Sequence, residues 1–160
     1  MARLPRGSAV VFRAFGAPDA LKRGKRVAAA ARRRGVVLVV GMDGRLAARL
    51  GADGVHLPER LAGRAGAIRA LRRRFLVTAA AHSLPAALRA RRAGVDALVV
   101  SPVFASRSPS AGRAIGPRAF AGLARAAGAP TYALGGVNVR TARRLAGSGG
   151  LGLAAIDGLV

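Results

Sequence analysis

The feature that most constrains the fold of this sequence is an alternation between short apolar runs and longer segments rich in Ala, Arg and Leu. The apolar runs carry β-branched residues, as in Val36–Val40, and such runs are typical of buried strands. The longer segments repeat apolar residues every three or four positions, as helices do. Because little chain separates one unit from the next, the pattern predicts a parallel sheet built from strand–helix units.

The alternation predicts seven strands and six helices. The strands are Ala9–Phe15, Val36–Val40, Gly54–Leu57, Phe75–Ala80, Ala97–Ser101, Thr131–Leu134 and Leu151–Ala155. The helices are Asp19–Arg34, Arg45–Leu50, Leu61–Arg74, Leu84–Arg92, Pro117–Ala127 and Val139–Ala146. Ser83 is predicted to cap the fourth helix, and Asn138 or Thr141 the sixth, because Ser, Thr and Asn side chains accept hydrogen bonds from first-turn amides.

Length and composition predict one domain over residues 1–160 and a cytoplasmic protein. A chain of 160 residues is long enough for one hydrophobic core. No apolar run reaches the roughly 18 residues of a membrane span, and the start MARLPRGSAVVF lacks the pattern of a secretory signal. The absence of Cys excludes disulfides and thiolate metal sites.

The net charge of +22 comes from 28 basic residues, of which only Lys22 and Lys25 are Lys. Such a charge attracts nucleic acid, anionic membrane or phosphorylated metabolites. The clusters Arg32–Arg34, Arg72–Arg74 and Arg89 with Arg91 and Arg92 fall late in predicted helices, where cations oppose the helix dipole. That position favours solvated helix faces, so an Arg-rich nucleic-acid binder is kept only as the second alternative.

Four motifs follow predicted strands in a characteristic order. They are GADGVHL at Gly51–Leu57, AHS at Ala81–Ser83, SPVFASRS at Ser101–Ser108 and ALGGVN at Ala133–Asn138. Together they resemble the thiamine phosphate synthase and TenI family from Ser8 to Asp157. The resemblance implies a TIM (β/α)8-type barrel, here incomplete, with about seven strands and with the family's first strand and last helix missing.

A barrel with a missing strand has two sheet edges without partners, which is costly. We expect either that the coding start was placed too late, making Met1 an internal residue, or that the open barrel is closed by dimerisation or by the N-terminal segment. A homodimer is therefore one of the predicted partners.

The pair Gly135-Gly136 after the sixth strand predicts a phosphate site, because glycines let backbone amides approach an anion closely. The helix that begins near Asn138 is expected to point its positive end at the same place. The resemblance implies a phosphorylated small-molecule partner, thiazole phosphate or thiamine phosphate. It also implies the synthase reaction, in which a pyrimidine pyrophosphate is joined to a thiazole phosphate with release of pyrophosphate and with magnesium as cofactor.

The resemblance places further residues in the substrate site. Arg13 matches the Arg of the family's Gln-Leu-Arg-Glu-Lys run, which holds pyrophosphate. Ser106 and Ser108 match the two Thr residues of the family's Thr-x-Thr-Lys motif. The Lys of that motif is lost here, and Arg107 is a nearby substitute. Ala155, at the end of the last strand, completes the phosphate-binding set.

The metal site is expected to be degenerate. The family carries a metal-binding Asp after its third strand, which corresponds to Val36–Val40 here. Without gaps this position falls on Met42, and only a shift of the alignment by one residue places Asp43 there. The second metal-binding Asp is lost, which leaves Glu59 as the other nearby acid. Magnesium usually needs one or two carboxylates besides substrate oxygens, so its ligands are largely missing.

His56 and His82 are the only His residues and hence the general acid–base candidates near neutral pH. His82 follows the predicted strand Phe75–Ala80, the fifth strand of the family, and is expected at the end of the barrel where the strands terminate. It is predicted to be catalytic together with Arg13. The TenI branch has a His where Pro102 stands, and Pro cannot move protons. A TenI-like or non-catalytic relative that binds thiamine or thiazole phosphate remains the first alternative.

Overall fold

The computed structural model describes residues 4–14, 16–106, 108 and 112–156 and contains all of the predicted strands and helices. The strands are β1 Ala9–Phe12, β2 Val37–Gly41, β3 Gly54–Leu57, β4 Leu76–Ala81, β5 Ala97–Val100, β6 Thr131–Ala133 and β7 Gly152–Leu153. The helices are α1 Ala20–Arg34, α2 Gly44–Leu50, α3 Ala65–Leu71, α4 Leu84–Arg92, α5 Gly116–Ala127 and α6 Val139–Ala142. Short 3-10 helices, Glu59–Arg64 and Arg143–Leu145, precede α3 and follow α6.

The seven strands form one parallel sheet in the order β1-β2-β3-β4-β5-β6-β7. Every crossover therefore moves in the same direction along the sheet. Because such crossovers are right-handed, all helices lie on one face of the sheet. The sheet curls around its other face into an incomplete barrel, and within the described residues β1 and β7 are its edges. The predicted fold class is confirmed.

The core lies between the sheet and the helices. One side chain in every two along the strands points to the helices, and Val40, Val55, Val77 and Leu98 are completely buried there. The helices meet them with small side chains, so that Ala86, Ala87 and Ala90 of α4 are 2 % exposed or less. In the described part of the chain, no helix is long and apolar enough to cross a membrane.

Several predicted elements are shorter than the sequence pattern suggested, and the sixth helix, predicted over Val139–Ala146, is α-helical only over Val139–Ala142. The helix predicted over Leu61–Arg74 is split into a 3-10 helix and α3, and Arg72–Arg74 follow α3 instead of ending it. Gly63 and Gly66 lie where the two segments join, and glycine weakens helix interiors. The predicted strand Leu151–Ala155 has only two strand residues, and the predicted end of the first strand, Phe15, lies outside the described residues.

Arginines from one helix contact the carboxyl end of the next helix. Arg32 of α1 donates to the Leu50 carbonyl at the end of α2 (3.4 Å), and Arg69 of α3 donates to the Gly94 carbonyl just after α4 (2.6 Å). A positive guanidinium beside the negative end of a helix is favourable. Arg32 and Arg69 therefore stabilise the packing of neighbouring helices.

Two aspartates link neighbouring strands at the amino-terminal ends of the strands. Asp53 accepts a hydrogen bond from the Leu38 amide of β2, and Asp96 accepts one from the Val77 amide of β4, both at 2.7 Å. Asp96 also forms an ion pair with Arg69 (2.9 Å). These carboxylates satisfy strand amides at the face opposite the strand ends.

We expect Asp96→Ala to lower the free energy of unfolding by about 1–3 kcal/mol, because a strand amide and a guanidinium lose a charged partner. Urea unfolding followed by circular dichroism measures the loss. The matched control is Asp19→Ala, which removes an exposed ion pair with Arg23 (3.6 Å) and should cost less than about 0.5 kcal/mol. Equal losses in the two variants would contradict the structural role given to Asp96.

Candidate functional site

The loops that follow β5 and β6 are joined at the end of the sheet where the strands terminate, here called the carboxyl-terminal rim. The Val103 amide donates to the Leu134 carbonyl, and the Phe104 amide donates to the Gly135 carbonyl, each at 2.9 Å. In (β/α) barrels this rim carries the functional groups. The described parts of the two loops are therefore hydrogen-bonded into one wall of the candidate site.

The turn Gly135-Gly136 lies in this wall with left-handed backbone, at φ 93° and 62°. A Cβ atom on Gly135 would lie 2.7 Å from the Pro102 Cα, and one on Gly136 would overlap the Ala105 carbonyl oxygen. Both positions hence require glycine. In the part of the chain that the structure describes, the amides of Gly135, Gly136 and Val137 donate no hydrogen bond, and the two glycines are only half-buried. These amides can bind an anion.

In the helix after this turn, two of the first amides are bound by the helix's own cap, whereas the Val139 amide donates no hydrogen bond within the described residues. α6 is a single turn, and Asn138 Oδ1 accepts from the Arg140 and Thr141 amides at 2.9 and 3.1 Å. Thr141 Oγ1 accepts from the Asn138 amide and donates to the Gly136 carbonyl, each at 2.9 Å. The predicted capping role of Asn138 is confirmed. Thr141 also holds the glycine turn through its hydrogen bond to the Gly136 carbonyl. The sequence did not predict this contact.

The loop after β5 begins with a cis peptide bond between Ser101 and Pro102. Pro102 is buried, whereas Ser106 and Ser108 are half-buried. The Ser108 amide donates to Ser106 Oγ (3.3 Å), so the two predicted serines lie close together on the loop that contacts the glycine turn. Arg107 lies outside the described residues.

His82 follows β4 and is exposed at the same rim. Its Nδ1 lies 2.6 Å from the Ser101 carbonyl oxygen, and since a carbonyl only accepts, Nδ1 must carry the proton. In the neutral ring Nε2 is then unprotonated and able to accept a proton or hydrogen bond. The His82 amide donates to Glu59 Oε2 (2.7 Å), which fixes the start of this loop.

A row of side chains crosses the inner face of the barrel from β1 to β4. Gly41 and His56 are register partners, as are His56 and Thr78. The Arg13 Cγ lies 3.2 Å from the position of a Cβ on Gly41; the missing side chain therefore leaves room for Arg13 to lie across β2. His56 Nδ1 lies 2.9 Å from Thr78 Oγ1. Burial, and secondly the charge of Arg13, lowers the pKa of His56 from 6.5 to about 4.

We expect the free energy of unfolding to fall as the pH drops from 6.5 to 4. In that window the unfolded chain protonates His56 while most of the folded chain does not, so protons favour the unfolded state by about 2–3 kcal/mol at pH 4.5. Urea unfolding at pH 7.5 and pH 4.5 should show this extra loss in the wild type and in His82→Gln, but not in His56→Gln. An identical pH dependence in all three proteins would contradict it.

Two acids of the described chain, Asp43 and Glu59, lie near the rim, and both already have partners. Asp43 Oδ1 accepts from the Leu46 amide (2.8 Å) as the cap of α2, and Glu59 holds the His82 amide and lies 3.9 Å from Arg89. Among the described residues no three His, Cys, Asp or Glu side chains lie close enough together to hold a metal ion. These residues do not fit a magnesium site built by the protein.

An open cleft of about 690 Å³ lies beside His82, between the 3-10 helix that starts at Glu59 and α4. Arg60 and Arg89 line it, and the motifs did not single out either of them as a site residue, because basic residues are common throughout this sequence. Ala155 lies just after β7, and the preceding Ala154 amide donates to the Ala133 carbonyl of β6 (2.8 Å). Ala155 therefore lies at the same rim as the glycine turn.

Comparison with known proteins identifies the family. The family model described as thiamine monophosphate synthase, TMP-TENI, matches residues 4–159. The chain belongs to this family. The TMP-TENI match covers nearly the whole chain and agrees with the motifs at the carboxyl-terminal rim.

Among curated TMP-TENI relatives, the thiamine-phosphate synthase of Methylococcus capsulatus is 35 % identical over 159 residues, which are 94 % of this chain and 69 % of that protein. The bifunctional protein ThiM/ThiE of Symbiobacterium thermophilum is 34 % identical over 89 % of this chain and 30 % of its own length. The putative thiamine-phosphate synthase 2 of Aquifex aeolicus is 30 % identical over 85 % of this chain and 73 % of that protein. The chain thus spans between about one third and three quarters of these relatives.

A solved structure shows the same fold. Thiamine phosphate pyrophosphorylase from Pyrococcus furiosus superimposes with a TM-score of 0.80 and 25 % identity, over 93 % of this chain and 72 % of that one. FabK from Thermotoga maritima, at 16 % identity and a TM-score of 0.67, shares the fold alone.

Proposed function

We propose that this TMP-TENI chain makes thiamine phosphate by joining a pyrimidine pyrophosphate to a thiazole phosphate. The bond from the pyrimidine-bearing carbon to pyrophosphate breaks, a bond from that carbon to the thiazole ring forms, and pyrophosphate leaves. The observation that carries the proposal is the Gly135-Gly136 turn, whose amides donate no hydrogen bond within the described residues. The relative that is 35 % identical is named thiamine-phosphate synthase, and the one that is 30 % identical is named putative thiamine-phosphate synthase 2.

The reaction needs two anion sites, one for each phosphorylated substrate. The glycine turn with Ser106 and Ser108 offers one of them, because amides and hydroxyls donate hydrogen bonds to phosphate oxygens. Arg13 follows β1 and lies beside Gly41 of β2, and a guanidinium can grip pyrophosphate with two parallel hydrogen bonds. Arg13 would thus hold the leaving group, and the glycine turn would hold the thiazole phosphate.

His82 would form a hydrogen bond to substrate at the rim through Nε2, or pass a proton from Nε2 of its protonated ring to the leaving pyrophosphate. No step of the proposal depends on a metal held by the protein, since Asp43 and Glu59 are engaged elsewhere. The degenerate metal site expected from sequence therefore remains part of the proposal.

The test is a discontinuous assay of the purified protein with both substrates and magnesium, with thiamine phosphate and pyrophosphate measured together. Equal amounts of the two products are expected. Calorimetry with thiamine phosphate and with thiazole phosphate accompanies the assay. Binding without products would favour the non-catalytic relative, and neither binding nor products would overturn both functions.

The homodimer and the cytoplasmic location expected from sequence also remain proposals. Within the described residues β1 and β7 have no second partner strand, and Val11 and Leu153 on these strands are 40 % and 38 % exposed. Contact with a second copy would cover such surface. Light scattering that gives the mass of one chain at micromolar concentration would contradict the homodimer.

A further inference from the structure

The face opposite the carboxyl-terminal rim, here called the amino-terminal face, is formed where the strands begin and the helices end. Residues that follow helices are hydrogen-bonded to strand starts there: the Asp53 amide donates to the Leu38 carbonyl, and the Asp96 amide to the Val77 carbonyl, at 2.8 and 2.7 Å. The last turns of α1, α2, α4 and α5, and the turn after α3, therefore meet on one face of the molecule.

This face is strongly positive. Six of its exposed arginines, on five different segments, form no ion pair within the described residues; they are Arg33, Arg49, Arg73, Arg74, Arg92 and Arg125. The acids of the described chain that lie here, Asp53 and Asp96, already accept strand amides. Clusters that look separate along the sequence are brought to one face by the fold.

Neutralising helix dipoles does not account for so much charge. A helix carboxyl end carries about half a negative charge, so the ends of α1 to α5 on this face amount to about two to three negative charges. The guanidinium groups of Arg32 and Arg69 already donate to carbonyls at two of these ends. The six further arginines exceed what the helices require, and they leave a field that attracts polyanions.

The chemistry of the face selects among polyanions. Arginine forks match phosphate oxygens, whereas binding of single strands relies on bases stacked on aromatic rings. The Phe residues of the described chain are all buried, and Phe75, beside Arg72, is 2 % exposed. The face therefore fits phosphates displayed on a regular backbone better than unstacked bases.

We propose that the amino-terminal face binds double-stranded nucleic acid through its phosphates, without sequence preference. The surface is separate from the carboxyl-terminal rim, so it can be occupied whether or not the rim is catalytic. From the sequence, we expected the arginine clusters to lie on solvent-exposed helix surfaces. The sequence could not show that the fold brings them together on the amino-terminal face.

The test is fluorescence anisotropy with a labelled 25-base-pair duplex of mixed sequence in increasing salt. The triple variant Arg33→Gln, Arg73→Gln, Arg92→Gln removes three charges that make no described contact. The matched control, Arg26→Gln, Arg113→Gln, Arg118→Gln, removes three exposed charges elsewhere. The wild type should bind at low salt, and the triple variant should bind at least about tenfold more weakly, with a salt slope shallower by about 2 to 3.

The control variant should lose less than about twofold in affinity, if location and not total charge decides binding. Equal weakening of both variants would overturn the proposal, and so would the absence of wild-type binding at 20 mM salt, a concentration at which phosphate contacts are strong. Binding to anionic vesicles without binding to the duplex would also overturn it, in favour of a membrane surface.

Discussion

Alanine in place of Gly136 should lower the affinity for thiazole phosphate about a hundredfold or more, because two or three amide contacts to a charged group are worth about 1.5–3 kcal/mol each. The new Cβ would overlap the Ala105 carbonyl, and φ of 62° is unfavourable for alanine. The turn must then move away from the loop after β5. Isothermal titration calorimetry measures the affinity, and circular dichroism confirms that the variant is folded.

Gly122→Ala is the matched control, because a Cβ on Gly122 in α5 meets nothing within 4 Å. This change should leave affinity unaltered and, in a helix interior, raise the stability by about 0.5–1 kcal/mol. Thr141→Val is an intermediate variant that frees the Gly136 carbonyl from its 2.9 Å partner without adding bulk to the turn. Undiminished phosphate binding by Gly136→Ala would show that the anion is held elsewhere.

The sequence was most informative where local signals and long-range packing agree. Helix α4 begins and ends as predicted, since Ser83 caps it and its apolar side fits β4. The parallel sheet also followed from the strand–helix alternation, whereas the barrel order of the strands was implied by the family resemblance. Boundaries were less accurate at α3 and β7, where glycines weaken the periodic pattern.

The candidate site depends on contacts that sequence spacing does not encode. The sequence placed Gly135 and Gly136 at the rim, but whether their amides are available depends on Pro102, Ala105 and Thr141, which reach them from other segments. The contribution of α6 depends on a local contact that was predicted only in part, since Asn138 accepts hydrogen bonds from two of the first amides of that helix. Likewise, Asp43 could be recognised as an acid near the rim, but not as the cap of α2.

His82→Asn should reduce kcat by about a hundredfold and leave KM within a factor of about three, since a positioned acid or base contributes about 10²–10⁴. The Asn side-chain amide can replace the Nδ1–H that donates to the Ser101 carbonyl (2.6 Å). The variant thus removes Nε2 while keeping the contact between the loops after β4 and β5. Steady-state assays with each substrate varied in turn separate the two parameters.

The paired control is His82→Gln, whose longer side chain places its amide near the position of Nε2 but cannot transfer a proton. If Nε2 only forms a hydrogen bond with the substrate, His82→Gln should recover most of the kcat that His82→Asn loses. If Nε2 carries a proton in the reaction, both variants should be equally slow, because neither amide titrates near neutral pH. A normal kcat in His82→Asn would exclude His82 from the chemistry and leave its ring as a link between the two loops.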